Sequence, residues 1–136
     1  MSYKLALEAA GATVFAFERF GSYQGDWLAK VEYNGRRGWV KDYYGSCSGC
    51  DAFQAEFGYA DDYEEENGKF LINRREVTKE EYDAEYTPYR LRLIQFGDRY
   101  LMNIISQQEV EKYVAENSEW DLEADEMMKF VKKNSI

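Results

Sequence analysis

The alternation of hydrophobic and polar positions is clearest between residues 27 and 43, where two strand-like runs, 27–33 and 36–43, flank Asn34-Gly35. Asn-Gly is the pair that two-residue hairpin turns favour, because both central residues must take positive φ. That turn sets a register in which Tyr33 opposes Arg36, Val31 opposes Gly38 and Ala29 opposes Val40. On the other face Glu32 meets Arg37 and Lys30 meets Trp39. These opposite-charge and cation–aromatic pairs stabilise a half-exposed sheet face.

Upstream, residues 2–10 read as a short Ala-rich helix opened by Ser2 and ended by Gly11. Residues 12–20 then alternate as a strand, with Phe15 and Phe17 on one face and Val14 and Ala16 on the other, and 21–26 form a hairpin loop. Downstream, residues 51–57 suggest one or two turns of helix, and 58–69 read as an extended, solvated loop with five acids in six positions at 61–66. Residues 70–73 form a short strand. Thr78 and Glu81 have the spacing of a capping box for a helix over 79–86, which Pro88 should stop. Residues 89–105 read as a second hairpin around Gly97-Asp98, with Leu91, Leu93, Tyr100, Met102 and Ile104 on its core face. Ser106 and Glu109 form another capping box, opening a helix that buries Val110, Tyr113 and Val114 and breaks at Asn117-Ser118. The last helix, 121–133, has Ala124, Met127, Met128 and Val131 on one stripe, with acids first and lysines last.

These elements predict a single α+β domain of 136 residues. An antiparallel sheet of about five strands, a meander plus a hairpin, is packed by the two C-terminal helices. Composition adds a high aromatic share, 17%, which suggests amphipathic rims or a contact surface. No apolar run reaches the ~18 residues of a membrane span, and the N-terminal stretch lacks a signal-peptide segment. A cytoplasmic protein without a membrane contact is the expectation.

Candidate chemistry centres on the Ser/Gly-rich turn between residues 45 and 51, which contains both cysteines. Cys47-Ser48-Gly49-Cys50 has the spacing of redox thiols and of half a zinc site. Zinc wants four ligands, and the chain has two cysteines and no histidine. Asp42 or Asp51, or a second subunit's cysteines across a dimer, would have to complete the site. Strand, C-x-x-C and helix follow in the thioredoxin-like order, but no βαβ crossover or cis-proline position accompanies them, and Asp51 beside Cys50 disfavours the thiolate. Residues 45–49 also match a cysteine form of the nucleophile elbow, and the missing histidine removes the triad base. Two non-catalytic readings stand beside these. The cysteines are small buried residues of a tight loop, or the N–H groups around Ser46, Ser48 and Gly49 form an anion-binding nest walled by Trp39, Tyr43 and Tyr44.

Charge separates the halves of the chain. Residues 1–60 carry seven acids against six bases, and residues 61–136 carry nineteen against eleven, giving −1 and −8 of the total −9. This disfavours direct nucleic-acid binding, which needs a basic footprint. It suits a protein partner with a basic surface, met by Asp61, Asp62, Tyr63, Glu64, Glu65 and Glu66 and by Trp120, Asp121 and Glu123, where aromatics sit among carboxylates. In its extreme form such a surface would imitate the phosphates of DNA. Simple solubility is the plainer account of the same acids.

The string YGSCSGCDAFQAEF, preceded by GSYQGDW and the EYNGRRGWV hairpin, resembles a pattern in small acidic proteins encoded by bacteriophages and by bacterial genomes carrying phage genes, over residues 20–58. The resemblance implies a setting, since small accessory phage proteins often bind and block a host protein, including defence nucleases. It carries over no functional residue. The leading expectation is therefore a non-enzymatic inhibitor or modulator that needs no cofactor. A thiol-redox or zinc protein using Cys47 and Cys50, and a binder of a small anion at the Gly/Ser loop, are the alternatives.

Overall fold

A computed structural model describes residues 3–46, 51–58, 61–117 and 123–136. Helix α1 (Tyr3–Ala9) leads into three antiparallel strands, β1 (Thr13–Gly21), β2 (Gly25–Tyr33) and β3 (Arg36–Tyr44), in the order β1-β2-β3. Asn34 and Gly35 have φ of 51° and 76°, and the register expected from that turn holds pair by pair, Val31 opposite Gly38 and Lys30 opposite Trp39 included. The Glu32–Arg37 pair forms an ion pair at 2.8 Å. β1 carries a bulge at Phe15, between Val14 and Ala16, which interrupts the ladder of this edge strand.

Helix α2 (Ala52–Phe57) is followed by a second antiparallel sheet of β4 (Tyr63–Glu66), β5 (Lys69–Ile72) and β6 (Arg75–Val77). There are two three-stranded sheets, then, and not one of five strands. The acidic run expected to be a solvated loop is strand β4. It is turned back by Asn67-Gly68, a second Asn-Gly pair with φ of 53° and 78°. Hairpin pairing outweighs the like-charge repulsion there because alternate glutamates point to opposite faces of the ladder.

The expected hairpin over 89–105 is absent. Residues 79 to 101 form one helix, α3 (Lys79–Leu101), capped by Thr78, with Pro88 and Gly97 both inside it. A proline in a helix interior removes one N–H and frees the carbonyl four residues earlier. Here both Ala84 and Pro88 are exposed, so water can reach that carbonyl. Gly97 is not a turn residue. A Cβ at this position would lie 2.1 Å from the Ala6 carbonyl oxygen and 2.9 Å from the Ala10 Cβ, so the glycine permits α1 and α3 to touch backbone to backbone.

Helices α4 (Gln107–Glu116) and α5 (Ala124–Lys133) complete the chain, and the Ser106–Glu109 capping box is formed. They cover one face of β1–β3 as expected, around Leu28, Trp39, Val110, Val114, Met127 and Val131. The other face is covered too. There α1, α2 and α3 enclose Tyr3, Leu7, Trp27, Val31, Phe53 and Phe96. The first sheet thus lies between two helical layers.

A glycine-to-alanine change in an open helix position should stabilise by about 1 kcal/mol. Gly97→Ala is expected to do the opposite, destabilising by about 1–3 kcal/mol because the methyl group overlaps Ala6. Denaturant titration of the variant reads the sign directly.

Candidate functional site

Three places collect the chemistry-bearing residues. The first is the base of the cysteine turn. Cys47, Ser48, Gly49 and Cys50 lie outside the described residues, whereas the residues that flank them are held firmly. Asp51, only 5% exposed, N-caps α2 through Oδ1, which accepts from the Phe53 and Gln54 N–H groups at 3.0 and 3.1 Å. The same oxygen accepts from the Tyr3 hydroxyl at 2.7 Å, and Oδ2 accepts from the Gly45 N–H at 2.9 Å. Gln54 Nε2 donates to the Gly45 carbonyl at 3.2 Å. Gly45 and Asp51 are thereby clasped together, and Ser46 is exposed.

The carboxylate at residue 51 is thus turned inward onto Tyr3 and Gly45. Asp42, the other acid considered as a metal ligand, accepts from the Tyr43 N–H at 2.8 Å and from the Tyr100 hydroxyl at 2.5 Å. Burial pushes the ionisation of Tyr3 and Tyr100 far above the ordinary 10.0, and the hydrogen bonds to Asp51 and Asp42 push the same way. The two rings meet edge to face at 6.1 Å, joining the buried Tyr3–Asp51 pair to the half-buried Tyr100–Asp42 pair. The Trp27 indole, 4.9 Å from Tyr3 and 5.2 Å from Tyr100, has a buried Nε1–H with no partner among the described residues.

The anion nest walled by Trp39, Tyr43 and Tyr44 does not assemble. Trp39 is fully buried under α4, donating to Gln107 Oε1 at 2.7 Å. Tyr44 is buried on the opposite face of the sheet and donates to the Phe20 carbonyl at 3.1 Å. Tyr43, between them, is 60% exposed. Neighbouring strand residues point to opposite faces, so one pocket cannot use all three.

The second place is a cleft of about 470 Å³ beside β3, reached by Lys41, Asp42, Phe96, Arg99, Tyr100 and Asn103. Sequence reasoning passed over Tyr3, Arg99 and Asn103 as site residues because nothing local marks them; Tyr3 and Asp51 are 48 positions apart.

The third place is an arm made of β4–β6 and the first turns of α3. Strand alternation puts Tyr63, Phe70, Ile72 and Val77 on the face toward the helix. Tyr63 packs there against Tyr82, Tyr86 and Tyr89 at ring distances of 5.9, 5.3 and 5.0 Å, and Phe70 against Tyr82 at 5.1 Å. The opposite face presents Glu64, Leu71 and Glu76 in a row across the three strands, with Glu66 and Lys69 beside them. Asp61 has a structural part, since its Oδ1 accepts from Asn73 Nδ2 at 2.8 Å, while the Asp62 N–H donates to Asn73 Oδ1 at 2.9 Å. Residues 61–87 carry ten acids against four bases, a net charge of −6. Glu123 stands apart at the N-terminus of α5, and Trp120 and Asp121 lie outside the described residues.

Comparison with protein-family models, curated proteins and solved structures finds no match to this chain. Among the described residues no helix is long and apolar enough to cross a membrane.

The clasp has a measurable consequence at high pH. Tyr3, Tyr100 and Tyr113 each ionise well above 10.0 in the folded protein, Tyr113 because of burial first and Asp26 second. Their folded values lie above the unfolded one, so their stabilisation is complete below about pH 10 and declines as pH rises past it. Absorbance titration of the tyrosines should therefore show a late group that ionises together with unfolding. Asp51→Ala, which removes the cap and strands the Gly45 N–H, is expected to cost roughly 2–4 kcal/mol in denaturant unfolding.

Proposed function

We propose that this chain is a non-enzymatic binding protein that engages a basic protein surface through its acidic arm, in the manner of a phage accessory protein that inhibits or modulates a host protein. The observation that carries this reading is the division of the arm into two faces. A tyrosine cluster ties the small sheet to α3, and the opposite face holds Glu64, Glu66 and Glu76 at fixed positions around Leu71. Carboxylates held on a ladder lose little further entropy on docking, and their field steers encounter with a cationic surface. Glu80, Glu81, Asp83 and Glu85, exposed along the first turns of α3, extend the same field.

The reading built on Cys47 and Cys50 stands second. It is favoured by the clasp between Gly45 and Asp51, which ties down the flanks of the turn that contains them.

Replacing Glu64, Glu66 and Glu76 by glutamine removes charge from the outer face while preserving side-chain length and leaving the Asp61–Asn73 contacts intact. Basic proteins captured from host lysate on the immobilised wild type should be lost from this variant. For a captured partner, association should slow by about tenfold or more at low salt, with the difference shrinking as ionic strength rises. A Cys47→Ser, Cys50→Ser variant should capture the same proteins. Equal capture and equal association rates for a folded glutamine variant would overturn the proposal; loss of capture in the cysteine variant alone would favour the second reading.

A further inference from the structure

The geometry points to the cleft beside β3 as a receptor for the carboxyl-terminal end of an extended peptide, a site separate from the acidic arm. The two-residue turn at Asn34-Gly35 dictates which peptide groups of β3 face outward. Tyr33 and Arg36 exchange hydrogen bonds across the turn, so every second residue from Arg37 turns its N–H and C=O away from β2. Trp39 follows the rule, since its N–H and C=O bond to Ile105 at 2.8 and 2.9 Å. Before Ile105 the chain is still leaving the end of α3 at Leu101, and after it the chain enters α4 at Gln107, so pairing stops on both sides of that one bridge.

Three outward peptide units remain, Arg37 on the turn side of the bridge and Lys41 and Tyr43 on the other side. Tyr43 is occupied, with its N–H on Asp42 Oδ1 and its carbonyl approached by the Tyr3 hydroxyl at 3.5 Å. Lys41 and Arg37 each keep an unpaired N–H and an unpaired C=O among the described residues, and of the two only Lys41 borders the cleft. One free unit between two closed ones gives no room for a long added strand. It suits a chain end, whose last peptide unit can exchange a pair of bonds with Lys41.

The rest of the cleft answers to a carboxylate. The Arg99 guanidinium lies over the Phe96 ring, 4.8 Å from its centre, and makes no ion pair or hydrogen bond among the described residues. A guanidinium presents a planar fork of donors that matches a carboxylate in two bonds. The Asn103 side chain, exposed at the same rim, supplies a further free amide. Asp42 is the acid bordering the cleft, and both its oxygens already accept hydrogen bonds, from Tyr43 and from Tyr100. Val40, Ala52 and Ile105 complete the lining with apolar surface for a terminal side chain, and the volume falls in the range of small-ligand sites.

The test uses random heptapeptides displayed with free carboxyl termini and selected on the intact protein. The strongest binder is then synthesised with a carboxylate and with an amide terminus, and each form is titrated into isotopically labelled protein. The carboxylate form should shift the Lys41 amide resonance, and the amide form should bind about tenfold more weakly or worse. Arg99→Gln should weaken the carboxylate form by a similar factor and leave the amide form unchanged. Lys41→Pro, which removes an N–H the sheet does not use, should abolish binding, whereas Lys41→Val should keep it. Failure to select any peptide binding more tightly than about 1 mM, equal affinity of the two forms, or shifts confined to other surfaces would each overturn the assignment.

Discussion

The backbone contact between α1 and α3 at Ala6 and Gly97 is the constraint on which the arrangement of the helical layer rests. No side chain fits between the Ala6 carbonyl and the Gly97 Cα, so α3 and α1 meet backbone to backbone there. That approach brings Phe96 against Tyr3 and Phe53, and it sets Tyr100 opposite Asp42. Because α3 is one rigid helix of 23 residues, about 35 Å long at 1.5 Å per residue, fixing its C-terminal half against the core also fixes its N-terminal half, where β4–β6 dock. The clasped turn, the cleft and the arm are therefore all referred to one helix.

What the sequence revealed divides along the range of the interactions. The β2–β3 hairpin was legible because its determinants lie within a few residues of Asn34-Gly35 and every pair agrees with the turn. The two capping boxes, Thr78 with Glu81 and Ser106 with Glu109, are local in the same way. The second Asn-Gly, at residues 67 and 68, has the same turn chemistry, but the dense run of acids before it has the character of a solvated loop. Glu64, Glu65 and Glu66 tolerate one another in β4 because alternate side chains separate across the sheet.

Helix α3 was misread for a different reason. Pro88 and Gly97 are the residues that ordinarily punctuate a chain, and here neither does. Tyr82, Tyr86, Tyr89, Leu93, Phe96 and Tyr100 recur at intervals of three or four, a helical period running through both residues. Alternation over Leu91 and Leu93 competed with that longer pattern. Only a partner surface could decide between them, and the partner was α1, some ninety residues earlier. The same distance hid the Tyr3–Asp51 pair. Asp51 was noticed for its charge beside Cys50, whereas its position as a helix cap with a buried hydroxyl behind it depends on how α1 returns to the core.

The tyrosines explain how a three-stranded sheet of short strands can stand on a single helix. A sheet of this size buries little apolar area, and an all-aliphatic contact would leave hydrophobic edges in water. Tyr63, Tyr82, Tyr86 and Tyr89 pack ring against ring, mostly tilted or edge to face, and each ring carries a hydroxyl, so the contact gains aromatic packing from amphipathic side chains. Burial first, and then the nearby Asp61 and Glu85, raise the ionisation of Tyr63 above the ordinary 10.0. A neutral ring at that position adds no charge to a surface already dense in carboxylates. The arm can therefore hold its acids apart on the ladder while its inner face stays bound to α3, and that separation makes the charge a feature of fixed geometry.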